Sequence, residues 1–218
     1  MDNLTKLTQE QITRIGNPAK PQGEEGRLML ERMNGSHAPL TQWAFSLLGL
    51  GEHDTVLDIG CGGGAALRRA SALATDGQLF GVDYSPVSVG LARENNADDI
   101  TTGKMNITEA SADALPFNDG LFDRIYTVES FYFWPAPEKC LKEVIRVLKK
   151  GGSFAIIADI YDNGALSPQT LENIARYRMN NPTAGEFERY LKNAGFTDVK
   201  VHTKQDTDWI CVLGKKGG

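Results

Sequence analysis

Apolar residues along this chain alternate between two rhythms, and the alternation predicts its elements. Leu40, Trp43, Ala44, Leu47 and Leu48 fall at i, i+3, i+4, i+7 and i+8. Pro39 stands at the front of that run, with Gly49 and Gly51 behind it, so the spacing predicts an amphipathic helix punctuated at both ends. From Thr55 the spacing tightens. Thr55 to Ile59 (TVLDI) is a short apolar run stopped by Gly60, the pattern of a buried strand. Leu67, Ala70 and Leu73 return to helical spacing, and Gln78 to Val82 predicts a second strand. Ser85-Pro86 is an N-cap followed by proline and opens a helix with Val87 and Leu91 on one face. Lys104 to Thr108 is a weak third strand, and Leu121 to Val128 a fourth. Leu141, Val144, Ile145 and Leu148 mark a helix that Lys149, Lys150, Gly151 and Gly152 are expected to close. Ser153 to Ala158 is a fifth strand.

Strands alternating with helices of this length imply parallel βαβ units and a doubly wound α/β sheet. The C-terminal third departs from that rhythm. Ser167-Pro168 opens a helix with Leu171, Ile174 and Ala175 on one face. Thr183 and Glu186 have capping-box spacing, ahead of Phe187, Tyr190, Leu191, Ala194 and a closing Gly195. Asp198 to Thr203 and Trp209 to Leu213 are final strands. The segment between them is too short for a helical crossover, so they should pair as an antiparallel hairpin. Gly16 to Gly26 (GNPAKPQGEEG) reads as a linker that sets apart a polar N-terminal piece.

Composition narrows the function classes. The chain has 218 residues, enough to bury a full core without disulfides or a metal. Cys61, Cys140 and Cys211 lie far apart, so neither a disulfide framework nor a cysteine-rich metal site is expected, and no metal-ligand set is legible. No leader-like apolar stretch is visible near Met1 and no run is long enough to span a membrane. Together these features favour a cytoplasmic protein. The net charge of −5 argues against a polyanion as main partner and makes nucleic acid an unlikely one.

The sharpest chemical signal is Val56 to Gly64, VLDIGCGGG. A strand enters, the chain turns through glycines, and a helix leaves at Ala65. Such a turn lets backbone approach a ligand closely. Gly60, Gly62 and Ala65 even satisfy a relaxed dinucleotide pattern. Asp83, about 20 residues past the turn, suits a ribose diol in either case. Asp58 separates the readings, because a carboxylate just before the glycines would repel a pyrophosphate and attract a cation. Asp113, in SADALPF after the third strand, is placed to accept from an adenine amino group. Three carboxylates at neighbouring strand ends suit a phosphate-free nucleoside cofactor carrying an ammonium and a sulfonium.

VLDIGCGGG resembles motif I of the class I S-adenosylmethionine-dependent methyltransferases. GVDYSP resembles their second motif, SADALPF and FDRIYTVESFYFWP the third and fourth, and VLKKGGSFAIIAD the fifth. The order is the family's, and the likeness is greatest to the small-molecule group that includes ubiquinone/menaquinone biosynthesis-type enzymes. The resemblance implies a Rossmann-like, seven-stranded sheet, mostly parallel, ending in an antiparallel hairpin. By position it implies that Asp58 and the Gly60, Cys61 and Gly62 turn hold the methionine part. Asp83 would hold the ribose with Tyr84 and Ser85 beside the adenosine, Asp113 and the Ala114 amide would read the adenine, and Glu129 would line the methionine or the transfer site. It implies S-adenosyl-L-methionine as cofactor, S-adenosyl-L-homocysteine as product, and a small-molecule acceptor for the methyl group.

The chain also departs from that family. Tyr132-Phe133 stands before Trp134-Pro135 where many relatives carry His-His, which removes an imidazole base from that spot. His37, Glu129 and Tyr132 are the remaining catalytic candidates. His37 reads either as a helix-cap histidine or as a site residue under a covering segment, and Tyr132 either as packing or as a substrate contact. Residues 1–43 are expected to form an N-terminal helical lid, hinged near Gly16 to Gly26, over a domain spanning 44–218. The chain is expected to act as a monomer or homodimer. Two alternatives stay open: an NAD(P)-binding oxidoreductase, and a cofactor-binding regulatory module without its own catalysis.

Overall fold

The computed structural model describes Thr8, Gln11 and residues 16–218. Seven strands form one sheet: β1 (Thr55–Ile59), β2 (Gln78–Asp83), β3 (Met105–Glu109), β4 (Phe122–Val128), β5 (Leu148–Ala158), β6 (Phe196–Thr203) and β7 (Ile210–Lys216). Their spatial order is β3-β2-β1-β4-β5-β7-β6. The first five pair in parallel, and β7 runs antiparallel between β5 and β6. This is the mostly parallel, seven-stranded α/β sheet with a C-terminal hairpin that the sequence predicted. Chain order reverses between β1 and β4, so a crevice opens outside their carboxyl ends.

Alternation along the strands divides the core. Leu57 and Ile59 of β1, with Ile125, Phe154 and Ile156, pack on one face against α6 (Pro137–Val147) and α8 (Ala184–Ala194). Val56, Leu79, Tyr126, Ala155 and Ile157 pack on the other face against α2 (Ala38–Leu48), α3 (Ala65–Ser71) and α4 (Pro86–Asn95), which the short α5 (Ala97–Thr101) follows. The capping signals act as read. Ser85 and Ser167 accept the N–H three residues on, Thr183 and Glu186 form a complete capping box, and Gly195 closes α8 in the left-handed conformation.

Three expectations are corrected. α3 ends at Ser71, so Leu73 is 48% exposed and Ala74 takes the buried position after a turn. α6 ends at Val147 without a glycine cap, because Leu148 is already extended. Lys149 to Gly152 instead bulge out of β5 between the Phe122–Leu148 and Arg124–Ser153 pairs. Asp123 draws Lys149 Nζ to 2.7 Å, and Lys216 Nζ reaches the Leu148 carbonyl at 2.7 Å, doing at this helix end what a glycine cap would have done. Finally, α7 (Pro168–Tyr177) buries no residue, so its apolar face, Leu171 included, stays at the surface.

The N-terminal segment lies on the crevice. Helix α1 (Gly23–Ser36) packs Met29 and Leu30 against Leu91 of α4, and Arg27 forms a paired contact with Glu94. The sequence boundary at residue 43 falls inside α2, which belongs to the layer packed on the sheet.

Candidate active site

At the end of β1 the chain turns through Gly60, Gly62 and Gly64, all at positive φ. A Cβ on Gly60 would lie 1.9 Å from Ser130 Oγ, so both the conformation and the close approach require glycine. The turn is tied to β2: Gly60 N–H and Cys61 N–H both donate to the Val82 carbonyl. Asp83 completes the tie. Its Oδ2 accepts from Gly62 N–H at 3.0 Å and its Oδ1 from Ser85 N–H at 2.9 Å.

A cavity of about 390 Å³ opens over this turn, within the range of small-molecule sites. Asp58 and Gly60 to Gly63 form its floor, Asp83 and Tyr84 one wall, and Ala110 to Ala112 the end beyond β3. Val128, Glu129 and Ser130 come from the end of β4. The N-terminal segment closes the other side with Pro18, Pro21, Leu30, Asn34 and His37.

Asp58 is the most informative group. It is 1% exposed, and neither oxygen accepts a hydrogen bond of ordinary geometry. Burial raises its pKa well above the usual carboxylate range, the nearby Asp83 charge adds to this, and the Tyr126 hydroxyl beside it offsets a smaller part. Asp83 is itself raised by burial, partly offset by its two backbone donors. A buried pair of carboxyls, one with only a tyrosine hydroxyl beside it, is a costly arrangement that a cation in the cavity would relieve. Cys61 lines the same floor, but burial raises its thiol well above the ordinary value, which keeps it a protonated filler.

Glu129 follows β4 with φ +56, a left-handed backbone uncommon for a side chain of this size. Its Oε1 accepts from the Asp159 backbone N–H. The Tyr132 hydroxyl lies 3.2 Å from Glu129 Oε1, 3.4 Å from Asp159 Oδ1 and 3.2 Å from the Ile160 carbonyl. Burial, then the Asp159 charge, holds the Glu129 carboxyl well above its usual range. His37 both ends α1 and precedes α2, and its ring reaches the cavity. Burial lowers its pKa, with Asp159 opposing, so the ring is neutral at pH 7. His37, Glu129 and Asp159 each bring one donor atom within 4.8 Å of the other two.

The structure thus brings Asp58, Gly60, Cys61, Gly62, Asp83, Tyr84, Glu129 and His37 to one cavity. It places four predicted residues elsewhere. Ser85 is fully buried as the α4 cap, its Oγ donating to the Pro21 carbonyl. Asp113 pairs with Lys139 at 2.8 Å and accepts from Ser111, and it is not among the residues lining the cavity. The Ala114 N–H is occupied by the Ser111 carbonyl, and Ser111 and Ala112 line the cavity instead. Tyr132 stands beside Glu129 rather than on the cavity wall. Sequence reasoning missed Asp159 and Arg69. Asp159 is the acid that ends SFAIIAD, and Arg69 lines the cavity from α3 with its guanidinium on the Asn34 carbonyl.

A doubly wound sheet with a buried acid at its glycine turn is an architecture shared with Rossmann-like proteins that bind nucleoside cofactors. Residues 57–156 match the family described as a methyltransferase domain. The chain is 25% identical over 186 residues to an uncharacterized methyltransferase of Bacillus subtilis (strain 168), covering 84% of this chain and 95% of that one. It is 30% identical over 173 residues to an O-methyltransferase of Pyrenophora dematioidea, covering 77% of this chain and 63% of the fungal protein's length. A solved S-adenosylmethionine-dependent methyltransferase from Aquifex aeolicus superposes with a TM-score of 0.67 at 20% identity, over 96% of this chain and 98% of the other. Residues 57–156 thus carry a methyltransferase domain, and the chain shares the fold of S-adenosylmethionine-dependent methyltransferases of known structure. No helix among the described residues is long and apolar enough to cross a membrane.

Proposed function

We propose that this chain moves a methyl group from S-adenosylmethionine to a small-molecule acceptor enclosed in the cavity over the glycine turn. The observation that carries the reading is Asp58, a buried acid in the cavity lining that has, among the described residues, only the Tyr126 hydroxyl beside it and no cation. A cofactor with an ammonium and a sulfonium fits such a floor, whereas a pyrophosphate would meet repulsion there. Asp58 and the Gly60 to Gly62 backbone would hold the amino-acid part. The Arg69 guanidinium is the cation on the wall suited to its carboxylate. Asp83 keeps lone pairs for a ribose diol beyond those given to Gly62 and Ser85, and Ser111 and Ala112 would border the base.

When bound, the cofactor supplies a methyl group on sulfonium that leaves behind a neutral thioether. The chain therefore contributes positioning, exclusion of water and a place for the acceptor's proton. Glu129 and the neutral His37 ring stand on the cavity wall to receive it, and Tyr132 positions Glu129 from the side. Phe133 and Trp134 supply the apolar part of the acceptor wall. Residues 16–37 cover the site and serve as its lid, a reading supported by Pro18, Pro21 and His37 on the wall. Three free, buried thiols suit a reducing compartment, and on that ground we place the reaction in the cytoplasm.

Incubation with methyl-labelled S-adenosylmethionine and a panel of phenolic, hydroxylated and amine acceptors tests the reading. Label should pass to at least one acceptor, and Glu129→Gln should lower turnover roughly a hundredfold. Tight S-adenosylhomocysteine binding without transfer to any acceptor would favour a regulatory module instead. Limited proteolysis near residues 16–26 should slow when S-adenosylhomocysteine is added, and cleavage unaffected by ligand would remove the lid.

A further inference from the structure

We propose that His37, Glu129 and Asp159 form a binding site for one divalent transition-metal ion at the acceptor end of the cavity. The inference deepens the methyl-transfer reading, rests on it only for the role of the ion, and gives His37 and Glu129 the work of holding that ion in place of receiving the acceptor's proton. Three donors of mixed type come from three parts of the fold. His37 stands at the α1–α2 junction, Glu129 just past β4, and Asp159 just past β5. One donor atom from each lies within 4.8 Å of the others. Donors about 2.1 Å from a common ion lie at most about 4.2 Å apart, so side-chain shifts of roughly half an ångström close the set.

The surroundings fix the donors as a metal site requires. Glu129 Oε1 is held by the Asp159 N–H, and the Tyr132 hydroxyl lies beside both carboxylates. Outer hydrogen bonds of this kind orient ligating carboxylates. The His37 ring reaches the cavity with a nitrogen close to both carboxylates. An imidazole with two carboxylates suits manganese, iron, cobalt or zinc better than magnesium or calcium. Three protein ligands leave coordination positions open. His37 and Glu129 both line the cavity, so an ion held by them would lie beside the space assigned to the acceptor, which points to acceptors that offer hydroxyl oxygens to an ion, vicinal pairs above all.

The test uses the full chain, freed of metal with a chelator and dialysed. Manganese(II) is added and the free-ion electron paramagnetic resonance signal is followed. Cobalt(II), read by visible absorption, reports the donor geometry. One equivalent should bind at micromolar concentration, and Asp159→Asn and His37→Ala should each weaken it roughly tenfold or more. S-adenosylhomocysteine affinity of Asp159→Asn should stay within about twofold of the parent, which shows that the variant is folded. Absence of binding up to millimolar ion, or binding that neither substitution alters, would overturn the site. No cofactor turnover enters these measurements, so a failed metal site leaves the methyl-transfer reading standing. Loss of S-adenosylhomocysteine binding in the parent would strike that reading and not this one.

Discussion

Replacing Asp83 by alanine separates the structural and ligand-binding work of one carboxylate. Asp83 is 8% exposed and accepts the Gly62 and Ser85 N–H groups at 3.0 and 2.9 Å. Alanine leaves both donors without partners, at about 1–3 kcal/mol for each one that stays buried. Part of that loss is recovered, because the raised pKa shows that the buried charge is itself unfavourable. The net destabilisation should be about 1–3 kcal/mol, read by denaturant titration. In the complex the ribose loses charge-assisted hydrogen bonds, so S-adenosylhomocysteine affinity should fall by about 10–100-fold in calorimetry. Asp83→Asn retains one acceptor oxygen and should be less destabilised than Asp83→Ala, with much of the affinity loss. If Asp83→Ala unfolds like the parent and binds the ligand within twofold, Asp83 neither anchors the turn nor touches the cofactor.

Asp58 gives a prediction about protons. Its folded pKa is raised, so its contribution to stability is fully present below the unfolded value, and it is lost as pH rises through the folded value. Asp58→Asn should therefore gain on the parent in cofactor-free stability as pH rises from the ordinary carboxylate range toward the raised folded value, and equal pH profiles would refute this. S-adenosylhomocysteine binding should release protons in the parent and fewer in Asp58→Asn, measured by calorimetry in buffers of different ionisation heat. Gly60→Ala should cost about 2–4 kcal/mol by denaturant titration, from its φ of +76 and the Ser130 clash. Restoring space with Ser130→Gly should recover part of that. Asp113→Ala should leave S-adenosylhomocysteine affinity within about twofold, since that carboxylate pairs with Lys139 and does not line the cavity. A large loss would return Asp113 to the adenine.

What the sequence revealed depended on how local each determinant was. Strands β1, β2 and β4, the caps at Ser85, Ser167 and Thr183, and the C-terminal hairpin rest on short-range signals, and they stand where the spacing put them. The end of α6 was misjudged because its glycines and lysines belong to a bulge set by Asp123 on a neighbouring strand. The site divides in the same way. Asp58, Gly60, Gly62 and Asp83 are fixed by one turn and the adjacent strand. Asp113 pairs with Lys139 on α6, a contact between separate elements that no local spacing shows. Asp159 carried no local signal. Its place becomes visible only when β4 and β5 lie side by side and Tyr132 spans the two carboxylates.

The central claim is that the cavity over Gly60 to Gly63 holds S-adenosylmethionine. Calorimetric titration of the full chain with S-adenosylhomocysteine, and in parallel with NADH, tests it most directly. The structure predicts one site of micromolar affinity for S-adenosylhomocysteine, with proton release, and no measurable heat from NADH. Micromolar binding of NADH with none of S-adenosylhomocysteine would contradict it.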